Sequence, residues 1–212
     1  PREAMLLLAD TAADASWARR RGDVLTPAEA ERASRFVFAD LGERWTAARV
    51  LLREVLGRAT HTAAADVPIS VGEHGKPMAD GLEFSLAHSG SLVLIGVGAL
   101  PLGVDVEGIP DDRAVAQIGT SLHPRETEEL RGLPSEQRCE AFTRLWVRKE
   151  AMYKALGIGL LRGLSHDYVG FGAMPHSPIR GLRIHDVPLP AGMPSYRAAL
   201  CVTQPEDSPK QA

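Results

Sequence analysis

The sequence predicts an α+β fold in which helices followed by strands occur twice. Three observations carry that expectation. Long amphipathic, helix-period runs fall in separate halves of the chain, at 41–58 and about 135–156. Short apolar runs broken by Gly and Pro follow each of them. No low-complexity linker divides the halves, so two α/β subdomains are expected to pack closely, each a small antiparallel sheet against helices. They meet near 103–108, which places one subdomain at 1–103, the other at 104–203 and a polar, disordered tail at 204–212.

In chain order, "AMLLLA" (4–9) reads as a buried strand. "TPAEAERASRF" (26–36) opens like a helix, with Thr26 as N-cap, Pro27 in the first turn and Glu29 three residues on. In the run 41–58, Trp45, Ala48, Leu52, Val55 and Leu56 share one face, and Gly57 marks the stop. The stretch 71–81 carries too many Gly and Pro residues for a regular element and is expected as a loop. "LEFSLAHS", "LVLIGVGA" and "LGVDVEG" follow as a meander of three strands. The second half offers helices at "PDDRAVAQIG", "HPRETEELRGL" and 135–156, then strands at "DYVGFGAM", "IRGLRIHDV" and "YRAALCV".

With 212 residues the chain can bury roughly 70% of its unfolded surface, so it folds without disulfides or a structural metal. Its 24 basic and 27 acidic residues leave a net charge of −3, which gives no reason to expect a nucleic acid partner. Cys139 and Cys201 stand far apart without zinc-ligand spacing and are expected as free thiols in a reducing compartment. Apolar runs are too short or too broken to span a bilayer, and the first residues lack the order of a signal peptide. A cytoplasmic protein without a membrane partner is therefore expected.

Three constellations can carry chemistry. On "RLWVRKEAMYKALGIGL" (144–160), Trp146, Lys149, Glu150, Tyr153 and Lys154 fall on one helix stripe with apolar residues on both flanks. That stripe is either a solvated face with a Glu150–Lys154 pair or the wall of a cleft. In "LGVDVEG", Asp105 and Glu107 point to the same side of a strand. Two adjacent carboxylates repel unless a cation lies between them, and a hard divalent ion such as magnesium suits oxygen donors. A polar edge-strand face is the alternative. In "HGKP" and "LAHSG", Lys76 on a Gly/Pro loop suits a phosphate, and His88 at a strand end can donate to an anion or simply belong to the turn. Neither a P-loop nor a nucleophile elbow is matched.

The order "GKP", "FSLAHS", "GVDVE", "WVRKEAMYKALGIGL" resembles the motif series of the 4′-phosphopantetheinyl transferases, over about residues 70–160. The likeness is to their longer, monomeric branch, which serves peptide and polyketide synthetases. It implies two pseudo-twofold-related subdomains with the active site in the cleft between them. It implies transfer of the phosphopantetheine arm of coenzyme A to a serine of an acyl or peptidyl carrier protein, releasing 3′,5′-ADP. Asp105, Glu107 and Glu150 match the family's magnesium ligands, where manganese can substitute. Glu150 also matches the acceptor of the serine proton, and Lys154 the lysine on the pyrophosphate. Lys76, Pro77, His88 and Ser89 match the nucleotide-binding stretches, with Lys149 near the same phosphates and Arg49 and Arg53 as further phosphate contacts. Ala87 departs from the family's usual Ser or Asn, so backbone N–H groups or Ser89 are expected to replace that contact. Leu122, Arg125 and Leu130 are candidate carrier contacts. Rival readings are a magnesium-dependent hydrolase of nucleotides or pyrophosphates, and a silent protein that binds carrier domains or coenzyme A.

Overall fold

The computed structural model describes residues 4–12, 15–72, 76–159 and 163–204. In chain order the elements are β1 (Met5–Asp10), α1 (Ala15–Arg20), α2 (Pro27–Ser34), α3 (Ala39–Thr60), β2 (Ser70–Val71), β3 (Pro77–Met78), β4 (Glu83–Ser89), β5 (Leu92–Gly98) and β6 (Leu102–Gly108). There follow α4 (Asp112–Ile118), α5 (Pro124–Gly132), α6 (Ser135–Leu156), β7 (Leu182–Asp186) and β8 (Tyr196–Thr203). The α+β class is as expected. Two three-stranded antiparallel sheets, β1-β5-β4 and β6-β8-β7, accompany a small β2-β3 ribbon.

The local signals account for most boundaries. At α2 the Thr26 hydroxyl accepts from Glu29 N–H while the Glu29 carboxylate accepts from Thr26 N–H, a complete capping box. The helix α3 passes Gly57 and ends only at His61, which takes the left-handed conformation at φ 54°. Gly57 serves packing instead of termination, since a Cβ there would lie 2.7 Å from the Thr62 carbonyl oxygen.

Three apolar clusters hold the layers together. Leu52 and Leu56 of α3 pack on Phe84 and Ile95 of the first sheet. Leu145 and Met152 of α6 pack on Ile184, Ala199 and Cys201 of the second. Between the sheets, Leu92 and Leu94 meet Leu102, Val104, Val106 and Ala198. Burying such side chains supplies about 1.5–3 kcal/mol each, which fixes the sheets against each other. Cys139 and Cys201 are free thiols.

Three expected features come out differently. The meander stops after β5: both edges of β5 are taken, by β1 and β4, so β6 crosses to the second sheet and pairs with β8. No strand forms across 167–174. Its backbone is satisfied by side chains, with Glu126 accepting from Val169 and Gly170 N–H and Arg148 donating to the carbonyls of Gly170 and Gly172. The expected loop at 71–81 includes the β2-β3 ribbon, while the Gly75 that precedes Lys76 lies outside the described residues. So does all of the tail after Gln204.

Candidate active site

The site forms where β6 lies on α6, and Gly103 makes that approach possible. A Cβ at Gly103 would stand 2.0 Å from the Ala151 carbonyl oxygen and 2.4 Å from the Ala155 nitrogen. Strand alternation then sends Val104 and Val106 into the core between the sheets and Asp105 and Glu107 toward α6. Glu150 and Lys154, four residues apart and one turn along the helix, face them.

Lys154 Nζ donates to Asp105 Oδ1 at 2.6 Å. The Asp105 side chain is only 4% exposed, and its other oxygen, Oδ2, is buried without a hydrogen-bond partner. Burial pushes the Asp105 carboxyl up to about 7; Lys154 opposes the rise, while Glu107 and Glu150 add to it. Glu150 is raised for the same reasons, burial first, then Glu107, against the pull of Lys154. The three carboxylates therefore share one electrostatic environment. Among the described residues, however, no three acidic, His or Cys side chains are gathered closely enough to hold a metal. Each of two carboxylates is engaged elsewhere: Asp105 by the ammonium of Lys154, and Glu107 by Ser89.

Ser89 links the two sheets. Its hydroxyl donates to Glu107 Oε2 at 2.8 Å and accepts from Gly108 N–H at 3.1 Å. Four residues earlier on the same strand face, Ser85 accepts from Val104 N–H at 3.1 Å. Between them Ala87 is buried in the inter-sheet core. An apolar residue suits that position, and the Ser89 hydroxyl is engaged by Glu107 and Gly108.

Other expected site residues lie apart from the carboxylates. His88 alternates with Ser89, so it points to the opposite strand face, where it is exposed. Lys76 and Pro77 are half-buried at the β2-β3 ribbon, and the Lys76 carbonyl accepts from Gly72 N–H.

Lys149 is a correction. It is fully buried, paired with the equally buried Glu126 at 2.9 Å, and donates to the Asp167 carbonyl. The helix turn separates it by about 100° from Glu150 and about 140° from Lys154, too far to serve the same pocket. Burial lowers its ammonium pKa, against the opposing effects of Glu126 and Asp167. Tyr153 follows it inward and donates to the Gly163 carbonyl at 3.0 Å.

Arg49 and Arg53 are corrections of the same kind. Both donate to Glu29, and Arg53, 2% exposed, also donates to the carbonyls of Ala64, Ala65 and Val67. Their work is to tie α3 to α2 and the following loop. Leu122 and Leu130 are core residues as well, which leaves Arg125 as the exposed member of that trio, its guanidinium 4.3 Å above the Tyr168 ring.

Sequence reasoning missed Arg148, which is fully buried and grips Asp186 through two bonds of 2.6–2.7 Å. Its signal was an arginine on an otherwise apolar helix flank. Gly103 was also missed as a packing residue; a glycine inside a strand often marks close backbone approach.

Residues 101–185 match the family model described as the 4′-phosphopantetheinyl transferase superfamily, a span that holds β6 and all of α6. The chain is similar to the 4′-phosphopantetheinyl transferase HetI of Nostoc sp., with 35% identity over 146 residues, covering 65% of this chain and 62% of that protein. It is also similar to psf-1 of Bacillus pumilus, at 29% identity with 82% and 76% covered, and to Sfp of Bacillus subtilis, at 26% with 86% and 84% covered. The Nostoc match thus spans under two thirds of that relative's length.

Proposed function

We propose that this chain, which is similar to 4′-phosphopantetheinyl transferases, transfers the 4′-phosphopantetheine arm of coenzyme A to a serine of an acyl or peptidyl carrier protein. We read it as a member of the longer, monomeric branch, with subdomains 1–103 and 104–203 related by a pseudo-twofold axis and the reaction in the cleft between them. The observation that carries this is the convergence of Asp105, Glu107, Glu150 and Lys154 where β6 meets α6.

The serine hydroxyl of the carrier attacks the phosphorus that bears the pantetheine arm. The bond from that phosphorus to the bridging pyrophosphate oxygen breaks, and its electron pair leaves on 3′,5′-ADP. Glu150 takes the serine proton; its burial and the neighbouring Glu107 make it a stronger base than a solvated carboxylate. Lys154, 30% exposed, can turn from Asp105 to the departing phosphate and neutralise it. Ser89 holds the Glu107 carboxylate in place. Lys76 and the exposed His88 would hold the nucleotide end of coenzyme A, including its 3′-phosphate.

The donors of Asp105, Glu107 and Glu150 suit magnesium in kind, as hard oxygens of which Asp105 Oδ2 is buried without a partner, although among the described residues the three are not drawn into a metal-holding cluster. When bound there, the ion would supply charge neutralisation across the pyrophosphate. Among the described residues no helix is long and apolar enough to cross a membrane.

The test is incubation with a panel of apo carrier proteins, coenzyme A and magnesium, followed by intact mass. The expected result is one phosphopantetheine added per carrier, with coenzyme A consumed only when a carrier is present. Consumption without a carrier supports the hydrolase reading, and binding without transfer the silent-binder reading; either result overturns the proposal.

A further inference from the structure

We propose that the Arg148–Asp186 fork is a positioning device for the reaction: it sets the rotation of α6 about its own axis and so places Glu150 and Lys154 over β6. The inference rests on the transferase reading of this site and adds to it a residue pair on the far side of the helix that touches no substrate.

Sheet register puts the two anchors of α6 in one row. Asp186 of β7 pairs with Ala199 of β8, and Ala199 pairs with Asp105 of β6. Directly opposed residues of antiparallel strands share a face, so both carboxylates lie on the α6 side of the sheet, at strand positions about 10 Å apart. Lys154 grips one end of the row through Asp105 at 2.6 Å, and Arg148 grips the other through both oxygens of Asp186 at 2.6–2.7 Å. The two cations stand about 9 Å apart along the helix and about 120° round it, so the row straddles α6. Between them the seat is made by small groups, Ala151 and Ala155 against Gly103 and Ala199. Apolar contact of that kind is non-directional; it presses the helix onto the sheet without fixing its rotation. The planar guanidinium does fix it, because two bonds to Asp186 and two more to the Gly170 and Gly172 carbonyls leave one orientation. Asp186 is 39% exposed and its charge is screened, so the fork contributes direction more than stability. When Lys154 turns to the departing phosphate, the fork is the polar anchor left at the other end of the row. Glu150 lies about 160° round the helix from Arg148, and a turn of about 10° carries a carboxylate some 6 Å from the axis through about 1 Å. A displacement of that size can cost roughly 100-fold in rate.

The test compares the parent with Arg148→Lys, which keeps the charge and loses the fork. Asp186→Asn, at the more exposed partner, carries the same expectation if the lysine variant does not fold. Transfer to an apo carrier protein is measured at varied coenzyme A with magnesium present, per folded molecule as counted by circular dichroism. The variants are expected to lose about tenfold or more in kcat, with the KM for coenzyme A within about twofold of the parent's. A pair that only stabilises the fold would lower the urea midpoint and leave kcat per folded molecule unchanged. That result overturns the proposal, as does a rise in KM alone. Position is read separately, without coenzyme A or carrier, from the nuclear Overhauser contact between the Gly103 Cα protons and the Ala155 amide. The contact is expected to lose intensity in the variants as the helix turns past β6, and an unchanged contact overturns the proposal. This second readout needs no activity, so absence of transfer by the parent would refute the transferase reading while the contact still decides the positioning.

Discussion

Replacing Gly103 by Ala puts a methyl group where β6 meets the backbone of α6. The new Cβ would lie 2.0 Å from the Ala151 carbonyl oxygen and 2.4 Å from the Ala155 nitrogen. Both obstructing atoms are helix backbone, so no rotamer change relieves them. To bring the shorter contact to even 3.0 Å, strand or helix must retreat by about 1 Å. Transmitted along the strand, that retreat stretches the 2.6 Å contact between Lys154 and Asp105 to about 3.6 Å, beyond hydrogen-bond range. Overpacking commonly costs about 1–3 kcal/mol, and rigid neighbours on two sides put this case at the upper end. A misplacement of about 1 Å in a catalytic group can cost roughly 100-fold in rate. Urea unfolding followed by fluorescence measures the first effect, and carrier phosphopantetheinylation by intact mass the second. A Gly103→Ala protein with the parent's midpoint and undiminished transfer would refute the close seating of β6 on α6.

Other perturbations separate the site from its scaffold. Glu29 is disfavoured as an anion by burial, but hydrogen bonds from Arg53, Thr26 N–H and Arg49 outweigh this and hold its pKa at about 2. A lowered carboxylate pKa stabilises the fold above its ordinary value of 4.5, and the contribution fades as pH falls toward 2. Glu29→Gln should therefore remove about 3 kcal/mol at neutral pH and flatten the acid limb of the unfolding curve; an unchanged acid limb would count against the pairing. Lys149→Met leaves Glu126 buried without its counter-ion and should cost about 3–5 kcal/mol in urea unfolding. Loss of coenzyme A affinity with unaltered stability would instead return Lys149 to the phosphates. Ser89→Ala removes the donor to Glu107, so kcat should fall by roughly tenfold with the KM for coenzyme A little changed. A rise in KM alone would mean that the hydroxyl touches the nucleotide.

The proposed catalytic quartet rests on geometry that is local. Strand alternation puts Asp105 and Glu107 on one face, and the helix turn stacks Glu150 on Lys154. Only the meeting of the two faces is non-local, and the motif resemblance supplied it. Lys149 misled for the complementary reason. It adjoins Glu150 in sequence, yet its partner Glu126 comes from α5, and the pairing turns it inward. Arg53 behaves likewise, since its carbonyl partners lie in the turn after α3. The false strand at 167–174 has apolar alternation but finds its hydrogen bonds with Arg148 and Glu126, which no local pattern foretells. Leu122 and Leu130 read as exposed contacts on a polar helix, whereas they fill the core under α6.

The charge of Glu150 is the point on which the reading turns. Glu150→Gln keeps the side chain's size while removing the base, so transfer to apo carrier protein should fall by at least about 100-fold with folding intact by circular dichroism. Intact mass of the carrier after incubation with coenzyme A and magnesium reads this directly. A carrier left unmodified by the variant and converted by the parent is the expected result; conversion by both at the same rate would contradict it.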